Sequence, residues 1–151
     1  MRSEEERQKI SPTYIQDVQK ELKSNTRANL VEWLVDVHRG FHLAPETLYL
    51  CVFILDKYLS KVSIRKNKLH IVCVACLIIA NKYEEVYAPK LKEILKICGE
   101  KFTHANVVKR EYEILNTLQF DVTTPSAYRF LERFWYMTFG KEANRQIFFF
   151  A

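Results

Sequence analysis

Glycine and proline are scarce in this sequence, three and four among 151 residues, and no Asn-Gly or Asp-Gly pair separates two alternating apolar runs. Hairpin signals are therefore missing, and helices are what remains. Long apolar stretches are missing too: the longest uninterrupted run, Ile71 to Ala80, is ten residues, whereas a membrane span needs about 20. The opening segment, Met1 to Lys9, is charged and polar, unlike the apolar stretch of a secretion signal, so neither secretion nor membrane anchoring is expected. Cysteine is limited to Cys51, Cys73, Cys76 and Cys98, which are expected as thiols in a reducing, intracellular compartment. What is present is the balance of an ordinary soluble domain, 48% apolar and 27% charged. One core with at most a small second unit follows from the length.

The net charge of +5 would mark a nucleic-acid footprint only if Lys and Arg gathered on one face or stripe. The densest basic stretch, with Lys61, Arg65, Lys66 and Lys68, reads instead as a solvated loop between helices. Apolar residues recur at helical spacing in separate blocks. Leu30, Leu34, Val37 and Phe41 form one stripe, predicting a helix from about Asn25 to Phe41 that Gly40 weakens near its end. Pro45 suits a first helical position and Glu46 the positive end of the dipole, opening a second helix that runs to about Leu59. A third, from about Lys68 to Tyr83, is apolar all round over Ile71 to Ala80 and so must be the central helix, wrapped by the others. Pro89 is expected to start a short fourth helix ending near Gly99, and Thr103 to cap a fifth whose buried face is Val107, Val108, Ile114, Leu115 and Leu118. Residues 122–125 read as a linker, after which Ser126 could cap an aromatic helix with Tyr128, Leu131, Phe134 and Trp135. The chain thus divides into a helical segment at 1–23, a five-helix bundle at 24–121, the linker, and the start of a second unit at 126–151.

Several stretches resemble a known family in the right order. Thr26-Arg27-Ala28-Asn29-Leu30-Val31-Glu32-Trp33-Leu34-Val35 is similar to the first helix of the cyclin box, where the family pattern is Met-Arg-Ala-Ile-Leu-Val-Asp-Trp-Leu and then Val. Ile54-Leu55-Asp56-Lys57-Tyr58-Leu59 is similar to its second helix, and Ala80-Asn81-Lys82-Tyr83-Glu84-Glu85 resembles the Lys-Tyr-Glu-Glu signature after the third. Lys109 to Leu118, then Phe120-Asp121-Val122 and Pro125, fits the fifth helix and the exit from the box. Together these cover residues 11–137, closest in wording to mitotic cyclins of the A and B types, including Pro12-Thr13-Tyr14-Ile15 ahead of the box.

The resemblance implies an all-α cyclin box with an N-terminal helix before it and the start of a second cyclin fold after it. It implies a regulatory subunit, nuclear or cytoplasmic, that activates a cyclin-dependent protein kinase by positioning the kinase αC helix, a common control point of such enzymes. Lys82 and Glu111 map onto the family's kinase contacts, with Glu84, Tyr14 and Ile15 assigned to the same surface. Arg27 and Asp56 match a structural pair joining the first two helices. Thr26, Asn29, Leu30, Trp33, Asp36, Leu69 and His70 map onto a shallow groove for Arg-x-Leu docking peptides. Thr26 stands where Met is usual and Asn29 where Ile is usual, so this groove is expected to be weakened or retuned.

Other chemistry finds little footing. Cys73 and Cys76 have a zinc-like spacing but lie in the most apolar run of the chain, where buried thiols are the better reading, so no metal is expected. His38, His42, His70 and His104 show no spacing with a nucleophile that specifies a triad, and no Gly-rich phosphate loop occurs. Neither enzymatic activity nor a cofactor is expected. Two alternatives stay open at this point: a cyclin-fold transcription or nucleic-acid-binding factor, and a truncated, non-activating cyclin.

Overall fold

A computed structural model describes residues 10–99, 101–123 and 127–139. Seven α-helices and one 3-10 turn follow in order among them: α1 (Tyr14–Asp17), α2 (Ser24–Gly40), α3 (Pro45–Leu59), the 3-10 turn (Lys66–Lys68), α4 (Leu69–Glu84), α5 (Leu91–Ile97), α6 (His104–Thr117) and α7 (Ala127–Phe139). There is no strand among the described residues.

The helix limits follow local chemistry. Pro45 takes a first-turn position of α3, where its missing amide costs nothing, and Glu46 lies in the same turn. Thr103 caps α6 through its hydroxyl oxygen, which accepts the Asn106 amide at 3.3 Å. Gly99 follows α5 at φ +69°, the left-handed conformation that terminates a helix at least strain in glycine. The fourth helix starts later than Pro89: Lys90 is its N-cap, and Glu93 accepts the Lys90 amide at 3.0 Å. The N-terminal helix expected over 1–23 is, within 10–23, a single turn, and residues 1–9 lie outside the described residues.

Helix α4 is the axis of the bundle. Every side chain from Ile71 to Asn81 is buried, so no face of this helix meets water over three turns. Helices α3 and α6 pack against it most extensively, burying Leu50, Ile54, Leu55, Ile114 and Leu118 around it. Full burial of each such side chain contributes about 1.5–3 kcal/mol. Cys51, Cys73, Cys76 and Cys98 are free thiols inside this core, and burial pushes all four thiols above the usual range.

Two polar side chains in the interior hold the periphery in place. Gln19 is buried and donates to the carbonyls of Leu59 and Val62 while accepting the Ile64 amide at 3.0 Å, stitching the N-terminal segment to the turn after α3. Lys57, also buried, donates to the Asp121 carbonyl at 2.7 Å and its carboxylate at 2.9 Å. It thereby fixes the exit of α6, where Gln119 and Phe120 both take left-handed backbone at φ +53° and +56°. Beyond the exit, α7 lies on α3 with Tyr128 buried and the Tyr49 and Tyr128 rings 6.1 Å apart. Its Phe130, Leu131, Phe134 and Met137 are exposed and Trp135 is half-buried, while the terminal Phe148, Phe149 and Phe150 and the Ser126 cap lie outside the described residues.

Candidate partner-binding face

The end of α4 carries the first group of site residues. Lys82 stands in its last turn, where a cation faces the negative end of the helix dipole, and reaches across to α6. Its Nζ donates to Glu111 Oε1 at 2.6 Å, and the exposure is lopsided, 62% for the lysine side chain and 12% for the glutamate. Glu111 is therefore a seated anchor, and the ammonium has two further N–H donors directed elsewhere. Beside the pair lies a pocket of about 240 Å3 that Ile78, Asn81, Ile94 and Val108 help to line. Asn81 is 2% exposed, and among the described residues neither its side-chain oxygen nor its nitrogen has a hydrogen-bond partner.

The segments that carry this pair also expose apolar side chains. Tyr83, Val86, Tyr87 and Tyr112 are exposed, Tyr87 to 93%, and so is Val108, expected on the buried face of α6 but 43% exposed. Glu84 is half-buried as the last residue of α4. Its neighbour Glu85, which the family pattern leaves without a role, turns inward: the carboxylate accepts the Ala44 amide at 2.7 Å and the hydroxyl of buried Thr47. That clamp ties the α2–α3 loop to the end of α4 and so sets where the following Val86-Tyr87 turn projects. No sequence signal short of the contact itself distinguishes Glu85 from Glu84.

Arg27 and Asp56 meet through two hydrogen bonds, Nε to Oδ1 at 2.8 Å and Nη2 to Oδ2 at 2.7 Å, joining α2 to α3. The bidentate contact raises the Arg27 pKa, although the arginine side chain is 36% exposed rather than fully buried. Tyr14 requires a correction. Expected on the kinase-facing surface, it is 5% exposed and donates its hydroxyl to Asp56 Oδ1 at 2.6 Å. Burial and the Asp56 carboxylate push its pKa up, and a side chain so enclosed has no surface to offer a partner. Its place is in the Arg27–Asp56 cluster, whereas Ile15 stays half-buried against the core.

The groove residues divide in two. Trp33 and His70 touch, ring centroids 4.7 Å apart, and His70 stacks in turn on Phe102 at 6.4 Å. Burial, then the charge of Lys101, lowers the His70 pKa. Leu30 and Leu69, by contrast, are buried in the core and offer no surface to a peptide. Asn29 and Asp36 are exposed and Thr26 is half-buried on α2.

A family model described as the cyclin N-terminal domain matches residues 1–123. The chain belongs to the cyclin family. It is 39% identical over 141 residues to Cyclin-B1-5 of Oryza sativa subsp. japonica, covering 93% of this chain and 31% of that protein. To the G2/mitotic-specific cyclin-A of Drosophila melanogaster it is 39% identical over 133 residues, covering 88% of this chain and 27% of that one. These relatives place this cyclin with the A and B types, and the chain spans about a third of the length of the curated relatives it matches. The solved structure of a viral cyclin from herpesvirus saimiri superposes with a TM-score of 0.76 at 25% identity, covering 89% of this cyclin and 59% of the viral chain. The all-α bundle around α4 is thus a cyclin fold.

Proposed function

We propose that this cyclin binds a cyclin-dependent protein kinase in cell-cycle control, and activates it by holding the kinase αC helix in its productive position. The reading rests on the Lys82–Glu111 pair, whose lysine is open to solvent, and on the apolar side chains exposed in the same two segments of chain. An ammonium fixed by one carboxylate, with donors to spare, is suited to capping backbone carbonyls at the end of a partner helix. Tyr83, Val86, Tyr87 and Tyr112 supply the aromatic and apolar contacts on which protein interfaces depend most. The catalytic groups all belong to the partner, so the cyclin contributes geometry and no chemistry of its own. Docking peptides of the Arg-x-Leu type would lie over Trp33 and His70, less tightly than usual because Thr26 and Asn29 withdraw apolar surface. Such a complex would act in the nucleus or cytoplasm.

The test mixes the chain with purified cyclin-dependent kinases and measures co-elution together with phosphorylation of a generic substrate. Co-elution and a rise in kinase activity are expected, both lost in the Lys82→Ala, Glu111→Ala double variant. A double variant that activates fully would remove this site from the interface, and failure to associate with any such kinase would remove the function.

A further inference from the structure

The 3-10 turn, the start of α4 and α6 enclose a second concavity of about 340 Å3. Lys68 comes from the turn, Lys101 from the segment before α6, and Lys109 and Arg110 from α6. Among the described residues one carboxylate lines the pocket: Glu113 Oε2 pairs with Arg110 Nη1 at 2.7 Å. Four cations less one carboxylate leave a charge of +3 around one cavity. Lys68, Lys101 and Lys109 are exposed and, among the described residues, enter no ion pair. Cations held together without a counter-charge repel one another, and an anion relieves that repulsion.

The pocket is continuous with the aromatic ladder. Phe102 lines it and stacks on His70, which touches Trp33. The charge of Lys101 reaches His70, since it helps to lower that imidazole's pKa. A peptide lying along the ladder would therefore bring its next residues to the cations.

We propose that this pocket receives a phosphoryl group, carried on a serine or threonine of a docking segment whose apolar side chains lie over Trp33, His70 and Phe102. The proposal rests on the reading of that ladder as a peptide-docking surface. A phosphoryl group carries nearly two charges and three acceptor oxygens, which suits three unpaired ammonium groups better than a carboxylate does. The side chains of Asn67 and Asn106, which also line the pocket, add neutral donors. A nucleic-acid backbone would call for a stripe of cations, whereas these converge on a single cavity. The phosphate would supply binding energy that Thr26 and Asn29 withdraw from the groove.

Fluorescence polarisation with the full 151-residue chain tests this. The probes are labelled peptides with an Arg-x-Leu core and serine, phosphoserine or glutamate at stepped positions after the leucine. At one or more positions the phosphopeptide is expected to bind about tenfold tighter than its serine twin. Lys101→Ala with Lys109→Ala should erase that advantage while leaving the serine twin's affinity and the melting temperature unchanged. No gain from phosphate at any position overturns the proposal, as does a gain that survives the double substitution. A glutamate twin that binds as tightly as the phosphopeptide overturns the phosphoryl assignment. A short DNA duplex that displaces the phosphopeptide at lower concentration than the phosphopeptide itself assigns the pocket to nucleic acid and overturns it too. Should a phosphopeptide lacking the core bind through Lys101 and Lys109 while Trp33→Ala changes nothing, the groove reading falls and the phosphate site stands.

Discussion

Two ion pairs of nearly equal length do different work in this molecule. Arg27 and Asp56 meet at 2.7 Å and Lys82 and Glu111 at 2.6 Å, so distance says nothing about their roles. Surroundings do. Asp56 receives three hydrogen bonds, two from Arg27 and one from Tyr14, and its capacity is taken up inside the fold. Glu111 receives one from a lysine that is 62% exposed, so the second pair remains open on its outer side. An internal pair ties helices together, and an open one is poised for a partner.

The comparison breaks most sharply if the open pair proves structural. Replacing Lys82 and Glu111 by Ala should lower kinase activation more than tenfold, yet shift the unfolding free energy by only about 1 kcal/mol, because the lysine of the pair is largely exposed. Denaturant titration beside the kinase assay reads both. The reverse is expected at the internal cluster: Asp56→Ala should cost about 2 kcal/mol in the same titration, less than a fully buried pair because Arg27 is partly exposed. Tyr14→Phe, which removes one of the three bonds, should cost about 1 kcal/mol and leave kinase binding unchanged. Loss of kinase binding in Tyr14→Phe with stability intact would return that residue to the interface.

Asn81 sharpens the contrast from within the core. Among the described residues no protein group satisfies its two side-chain polar atoms, so Asn81→Ala should cost less than about 1 kcal/mol despite the lost volume. The smallest effect concerns pH. The folded His70 pKa lies below its unfolded value of 6.5, so the unfolded chain binds the extra proton first. Its contribution is complete above about pH 6.5 and declines as pH falls below that value. His70→Gln should flatten the stability profile in this window, measured as midpoint denaturant concentration against pH.

Much of the bundle was legible in the sequence because burial writes itself into periodicity. The all-round apolar text of Ile71 to Ala80 admitted no solvent-facing side, and the helix it forms is buried throughout. Pro45, Thr103 and Gly99 announced helix ends through backbone chemistry that needs no tertiary information. What stayed hidden depends on contacts between distant segments. Gln19 and Lys57 look like surface residues in sequence, yet both are interior donors to carbonyls some forty to sixty-four positions away. The place of Tyr14 is hidden for the same reason, since nothing local to it reveals the Asp56 carboxylate. Lys82 and Glu111 stand out only through resemblance to a family pattern, and the basic pocket at Lys101 and Lys109 is invisible in sequence because its cations come from three separate stretches.

The Lys57 contact has a consequence for whatever follows the bundle. Two consecutive residues without glycine's freedom hold left-handed backbone at Gln119 and Phe120, and a lysine rooted in α3 grips the very next residue. The heading on which the chain departs is thereby dictated by a helix laid down sixty-four residues earlier, much as a rudder is steered from the far end of a hull. Exchanging Lys57 for methionine would leave the core filled and yet set that course adrift.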